Sequence, residues 1–528
     1  MSLPGFATRE STRAHAQRLS PEWSADAFRR LGRSELWVSK IGMGTFHCRP
    51  EDEGGRQALQ EALRLGINVV DTSPMYADGG AELLIGEVLT HEAVWSQLPR
   101  DQIVVVSKVG YLQGETLERA RERERQKRPF KDVLSLTSDL WYCIHPQFLE
   151  DQLTRSLARL HLDTLDVYLL HSPECFFLGT RGQSDRQKAE LRAEFYQRLR
   201  RAFVHLEKMV QEKLIRYYGL SSNAFTTHPE AFNFVSLGEV WRAYEQACAE
   251  RRIPPEEGHL AVIEFPLNLI EHGAATAAVH AFEGKWYTLL ELARKLDLGV
   301  LVHRPLNAVW RNVMIRLADF ENPDLAAYQE QVRRLLINFR EMESHLLQLL
   351  EKVYPRSRSQ EKEALLAMFS LSSRLEALAQ ELSDPLSVIQ RIQGTYLAQI
   401  QEATRTIFGN VKPGEVNKIR DYLDAYLAHL KKLMPAIVKY TTSRNRDRLQ
   451  PLMPVLKQFE GSAEGLSIAG KALLFSCSVP GVGTALNSMH APRYVRDAQE
   501  VFSRYLQVTP EMLAELERIF PLDWERWV

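Results

Sequence analysis

Short runs of β-branched and apolar residues alternate with amphipathic helical patterns along most of this chain. No other feature restricts the fold as much. The runs are KIGMGTF (40–46), NVVDTS (68–73), IVVVSKV (103–109), LDVYLLH (165–171), IRYYGLSS (215–222), LAVIEFPLN (260–268), GVLVHRPL (299–306) and GVGTALNS (481–488). Between them, segments such as GGRQALQEALRLG, PQFLEDQLTRSLARLHL, FYQRLRRAFVHLEKMVQEKL and WYTLLELARKLDL carry Leu, Ala or Val at three- and four-residue spacing, the period of a helix with one buried face. Strands that are apolar throughout need cover on both faces, and interleaved helices supply it, so the pattern is that of a parallel sheet. Eight such units predict an α/β fold of the (β/α)8 TIM barrel type, which takes about 250 residues. A doubly wound open sheet is the competing arrangement, but no GxGxxG follows an early strand.

The rhythm breaks once, after the seventh strand. From about Asn322 to Gln458 the pattern is helical, and Pro355, Pro385, Pro413 and Pro451 punctuate it. SIAGKALLFSCSVPG then reads as the seventh helix, leading into the eighth strand. The expected organisation is an N-terminal extension over 1–30, barrel strands one to seven over 31–312, a helical insert over 313–462, and helix seven, strand eight and the C-terminal helices over 463–528. Strand-to-helix loops lie on the catalytic face of such a barrel. An insert between strand seven and helix seven is therefore expected to act as a lid there, or as a self-contained bundle that docks a protein partner.

At 528 residues the chain exceeds one ordinary core, and its 45% hydrophobic and 25% charged residues are those of a soluble globular protein. A net charge of −1 gives no reason to expect nucleic acid or an anionic membrane as partner. Five scattered cysteines without CxxC spacing fit a reducing, cytoplasmic setting, and no metal site is expected. No uncharged run reaches the ~18 residues of a membrane span. The mixed-sign run RARERERQKR (119–128) reads as a solvated helix or loop.

Four residues do not fit a purely structural reading. Asp71 ends the second strand, Tyr76 follows in its loop, Lys108 lies near the end of the third strand and His171 closes the fourth. In a parallel barrel these strand ends converge. Asp71 is expected to pair with Lys108, because burying either charge alone is costly. The ammonium is then expected to lower the pKa of the Tyr76 phenol towards working pH. Such a phenol can donate a proton to a carbonyl oxygen as hydride reaches carbon, with His171 orienting the carbonyl.

At these residues the chain resembles the aldo-keto reductase family. The matching segments are LGRSELWVSKIGMGTF, GINVVDTSPMY, AELLIGEVL, VVVSKVG, LDTLDVYLLHSPE, YGLSSNAF and PGVGTALNSMHAPRYVRDA. The resemblance implies a barrel that binds NADP(H) in extended form and reduces aldehydes and ketones. It also implies catalytic roles for Asp71, Tyr76, Lys108 and His171. It assigns Ser222 and Asn223 to the nicotinamide carboxamide, His303, Arg304, Pro305 and Leu306 to the pyrophosphate approach, and the stretch with Ser488, His490, Tyr494 and Asp497 to the adenosine phosphate. Gly44, Thr45 and Glu264 complete the implied cofactor contacts. The chain departs from the family at Glu264, where Gln is usual, at His303, where a Tyr often stands, at His490, where many members have Arg or Ser, and at Ala498, where Asn is usual.

The function expected from these features is nicotinamide-dependent reduction of a small-molecule carbonyl substrate, with NADP(H) favoured over NAD(H). The alternative is a nucleotide-binding sensor or regulatory barrel whose insert docks a partner. Trp141, Tyr142, Phe176 and Phe177 are expected either to line an apolar substrate pocket or to pack in the core.

Overall fold

The computed structural model describes residues 2–19, 23–91, 94, 98–179, 184–311, 313–320, 325–353, 359–381, 388–389, 391–410, 413–459 and 461–522. Its described residues divide into two compact units, Met1–Leu306 with Val455–Val528, and Asn307–Pro454.

The first unit is a closed barrel of eight parallel strands in sequential order: β1 Ile41–Gly44, β2 Val69–Asp71, β3 Val104–Val109, β4 Leu165–His171, β5 Ile215–Ser221, β6 Leu260–Pro266, β7 Gly299–His303 and β8 Thr484–Ser488. Strands β3 and β6 are buried at every position, as their apolar sequences require. Each strand is followed by a helix: α1 Glu53–Arg64, α2 Gly80–Leu89, α3 Pro146–Leu160, α4 Asp185–Gln211, α5 Leu237–Arg251, α6 Leu289–Lys295, α7 Ile468–Ser478 and α8 Pro492–Phe502. Local chemistry sets several starts. Ser184 and Gln187 form a reciprocal capping box at α4, Thr288 and Glu291 do so at α6, and Ser467 caps α7 through the Gly470 amide.

The mouth opposite the strand C-termini is plugged. Strand Phe28–Arg30 pairs antiparallel with Trp37–Ser39, and Leu31, Leu36 and Val38 pack against Val69, Val104, Val167 and Leu301 from inside the barrel. This hairpin straddles the boundary expected at residue 30. At the turn, Gly32 has φ +49, and a Cβ there would meet the Gly299 amide nitrogen at 2.2 Å.

The second unit is built on two long helices, Leu325–Val353 and Pro413–Leu449. Their apolar faces share a core that includes Phe339, Leu346, Phe369, Leu375, Tyr426, Leu433 and Ile437. The Tyr426 hydroxyl donates to the Phe369 carbonyl at 2.8 Å. The unit starts at Asn307 rather than 313, because Asn307–Trp310 forms a hairpin with Val313–Arg316. It ends at Pro454 rather than 462, because the following residues belong to the barrel: Phe459 stacks on Phe475 of α7 at 6.4 Å. Pro413 opens one long helix, while Pro451 falls in the short turn Gln450–Leu452. Asn322, Pro355 and Pro385 lie outside the described residues. Among the described residues no helix is long and apolar enough to cross a membrane.

Candidate active site

The barrel register brings the strand ends to one level. Gly44 is opposite Asp71, Lys108 opposite Leu169, and Ser221 lies between His171 and Glu264. Lys108 is fully buried, and its Nζ donates to Asp71 Oδ1 and, at 3.4 Å, to the Thr72 carbonyl. Asp71 is fixed in turn, since its carbonyl accepts from the Thr45 amide at 3.1 Å and the Thr45 hydroxyl at 2.9 Å.

Tyr76 reaches the same point from a tight turn, Tyr76–Gly79, in which Ala77 and Asp78 are both left-handed (φ 50 and 53). The turn is held from outside: Asp78 accepts from the Glu115 amide at 3.0 Å, and Gln113 donates to the Met75 carbonyl at 2.8 Å. The Lys108 ammonium stands 5.5 Å from the Tyr76 ring centre. His171 meets Tyr76 edge-on at 6.4 Å, and its Nδ1 is 3.4 Å from the Ser73 hydroxyl.

The expected one-to-one pairing of Asp71 with Lys108 is incomplete, because Glu264 Oε2 also stands 3.4 Å from Nζ. Two carboxylates therefore share one ammonium. The electrostatics follow from that. Burial, together with Glu264, raises Asp71 to about 7 against the pull of Lys108. Burial also acts against the Lys108 charge, but Asp71 and Glu264 outweigh it and hold the ammonium firmly protonated. Glu264 is itself buried, and Lys108 and His303 hold it well below the usual carboxylate range. Burial and then Lys108 lower His171 to about 3, so its ring is neutral.

The expectation for Tyr76 is corrected. Its pKa is raised, not lowered, because burial outweighs the nearby ammonium and the two carboxylates add to the rise. The phenol therefore holds its proton at neutral pH.

The residues implied to hold a cofactor form a connected rim. Glu264 Oε1 accepts from Ser221 Oγ at 3.0 Å and lies 3.1 Å from His303 Nδ1, while His303 Nε2 is 3.2 Å from Asn223 Oδ1. Ser222 Oγ and the Asn223 amide both donate to Glu174, at 2.8 and 2.9 Å. Glu174 is a residue that sequence reasoning missed: burial raises it to about 7 even though the backbone, Ser222 and Asn223 all stabilise its charged form. Past β7, Arg304 is left-handed (φ 58) and its guanidinium bonds Glu271 at 2.5 Å, with Pro305 and Leu306 buried behind it.

At the end of β8, His490 packs on Tyr494 at 5.0 Å and Asp497 is exposed. Arg493 bonds the Tyr494 hydroxyl at 2.8 Å, and Arg496 is 3.3 Å from Glu61. Two buried oxygens on this rim accept or donate no hydrogen bond, Glu264 Oε2 and Ser488 Oγ. Unmet polar groups of this kind fit a polar ligand laid across the strand ends.

Of the aromatic residues expected either in a pocket or in the core, Phe176 and Phe177 pack on Phe195 and are core. Tyr142 is buried behind Tyr111. The aromatic surface beside the site is instead Tyr111, 5.0 Å from His171, and Phe46, which is 57% exposed and lies edge-on to Tyr76 at 5.2 Å.

This arrangement defines a parallel (β/α)8 barrel protein with a buried, charged constellation at the strand C-termini. Residues 40–232 match the model of the aldo/keto reductase family, a stretch that holds Asp71, Tyr76, Lys108 and His171. Over that stretch the chain is similar to the family. Among curated proteins it is 26% identical to an uncharacterized oxidoreductase, YqkF, of Bacillus subtilis over 239 residues, 44% of this chain and 62% of that one. It is 29% identical to an NADH-specific methylglyoxal reductase of Escherichia coli over 152 residues, 27% of this chain and 40% of that one. The chain thus spans about two fifths to three fifths of the length of these relatives. Similar solved structures include an aldo/keto reductase of Klebsiella pneumoniae in complex with NADP and acetate (17% identity, 94% and 95% of the two chains, TM-score 0.42) and a glycerol dehydrogenase of Gluconobacter oxydans (18%, 94% and 95%, TM-score 0.45).

Proposed function

We propose that this protein is a nicotinamide-dependent carbonyl reductase. The observation that supports it best is the convergence of a protonated phenol, a buried ammonium and a neutral imidazole at the mouth of the barrel. When bound, a reduced nicotinamide supplies the hydride. Tyr76 gives its proton to the carbonyl oxygen, so that the carbonyl carbon gains a hydride and the oxygen a proton, yielding the alcohol. Lys108 stabilises the phenolate left on Tyr76, and solvent restores the proton. Asp71 holds Lys108 in place. His171, neutral and steadied by Ser73, orients the carbonyl. Glu264, His303, Asn223, Ser222, Arg304 and Ser488 are the residues that would hold the cofactor, with Gly44, Thr45, Pro305, Leu306, His490, Tyr494 and Asp497 shaping its channel.

NADP(H) is favoured over NAD(H), by a narrow margin. An Arg fork is the strongest holder of a 2′-phosphate, and Arg493 and Arg496, in the first turns of α8, already have partners. The helical unit is assigned to docking a protein partner.

The test is direct. NADPH and NADH are titrated separately while nicotinamide fluorescence is followed, and consumption of the bound nucleotide is then measured with methylglyoxal, the substrate named for the E. coli relative, and a panel of aldehydes. Saturable binding of at least one nucleotide and turnover of at least one carbonyl are expected. Absence of binding would sink the proposal.

A further inference from the structure

Glu264 is not used as a buried structural carboxylate is. Its Oε1 is held by Ser221 and His303, but Oε2 accepts no hydrogen bond and faces an ammonium that Asp71 already occupies. With both carboxylates ionised, the floor of the mouth carries one more negative than positive charge, in a place with little water to screen it.

The groups that face this spot are Asp71 from β2, Tyr76 from the loop after it, Lys108 from β3, His171 from β4, Glu264 from β6 and His303 from β7. Tyr76 keeps its proton, and burial lowers His171 and His303 from the ordinary imidazole value, so the cation that the two carboxylates share is Lys108. Burial first, and then the Glu264 charge, raise the pKa of Asp71 against the pull of Lys108.

A bound ligand with a delocalised positive charge would relieve the excess negative charge. The carbonyl that Tyr76 protonates must touch the hydride donor, so the nicotinamide ring has to enter the mouth that Tyr76, Lys108 and Glu264 share. Only the oxidised ring is cationic. We infer that Glu264 makes this barrel bind the oxidised nicotinamide nucleotide more tightly than the reduced one. This inference rests on the function proposed above and adds a specificity-determining residue to it. Its consequence is that bound reduced cofactor is a stronger hydride donor than the free nucleotide, and that release of the oxidised product is slow. A Gln at this position would leave one carboxylate against one ammonium and remove the bias.

The test reads binding, not turnover. Dissociation constants for NADP⁺ and NADPH are measured by calorimetry on the full chain, the Glu264→Gln variant and the Glu264→Asp variant. The natural protein is expected to favour NADP⁺ by about tenfold, the size of a charge–charge term across a partly screened site. Glu264→Gln should bring the two constants together by weakening NADP⁺, while Glu264→Asp should keep most of the preference. Equal constants in the natural protein, or an unchanged preference in Glu264→Gln, would overturn the inference and leave carbonyl reduction standing. If Glu264→Gln fails to fold, the natural ratio and Glu264→Asp decide the matter. Failure of both nucleotides to bind the natural protein would overturn the proposed function, and this inference with it.

Discussion

The two ends of the same barrel bury carboxylates in opposite ways. At the plugged end, Asp166 on β4 accepts the Ala7 amide at 2.6 Å, the Val105 amide at 2.8 Å and Arg100 at 2.7 Å. Both of its oxygens are bonded and its cation belongs to it alone. At the open end, Asp71 and Glu264 compete for Lys108, and one oxygen is left over. Burial is equally deep in both places. A carboxylate whose partners are complete stabilises the fold, whereas one whose partners are incomplete is poised for a ligand or a proton. The helical unit follows the first pattern: Glu343 accepts the Leu371 and Ser372 amides and the Ser372 hydroxyl, and so caps Ser372–Glu381.

If the open end is chemical rather than structural, Tyr76→Phe should lower carbonyl reduction by ~10²–10⁴, the range of a lost general acid, while nucleotide affinity stays within a factor of two to three. Steady-state kinetics beside fluorescence titration checks both parts. Turnover equal to that of the natural protein would exclude Tyr76 as the proton donor. The matching break at the plugged end is Asp166→Ala. It strands Arg100 in the core and should cost about 3–5 kcal/mol of stability, the usual loss when one member of a buried pair is removed. Urea denaturation measures it, and a loss below about 1 kcal/mol would erase the contrast between the two ends.

Much of this was legible in the sequence, for definite reasons. A strand-end Asp, Lys and His with a Tyr in the next loop are local facts, and eight alternating units say which ends converge. Glu264 could be read as a departure from the family, but its sharing of Lys108 could not. Which carboxylates reach one ammonium depends on side-chain reach across non-adjacent strands, and linear spacing does not encode that. Glu174 was invisible for a similar reason. It stands in a short loop where an acidic residue normally faces water, and only the fold of Ser222 and Asn223 over it buries it. The unit boundary near Asn307 could not be read from NAVW alone, because it is set by the pairing of Asn307–Trp310 with Val313–Arg316.

A smaller effect follows from Asp71. Its pKa rises from an ordinary 3.8 to about 7 on folding, so between these values the folded chain binds the extra proton. Stability conferred by this site is therefore present at low pH and lost as pH climbs through about 7. Asp71→Asn removes that titration. Its Tm should fall less steeply between about pH 4 and about pH 7 than that of the natural protein, in paired scanning-calorimetry series. A steeper slope in the variant would mean that Asp71 is held ionised, and that the shared ammonium is a simple pair after all.

The smallest expected effect concerns the rim, where charges are solvated and cheap to rearrange. Arg496 is 59% exposed and lies 3.3 Å from Glu61 of α1, so its ion pair is of the weak surface kind, worth about 0–1 kcal/mol. Ser488, at the start of the same loop, has a buried hydroxyl without a partner. If this loop meets the 2′-phosphate, Glu61 competes with the phosphate for Arg496. Glu61→Gln then frees the guanidinium and removes a repulsive charge, and NADPH affinity should rise by about two- to fivefold, which is the size of one surface pair. NADH lacks the phosphate, so its affinity should not move, and the ratio of the two constants isolates the effect from any general change in the barrel. The gain should shrink in high salt, since exposed charges are screened beyond about 8–10 Å. Equal improvement for both nucleotides would place Arg496 away from the phosphate and leave Arg493, now folded over Tyr494, as the cation of that loop.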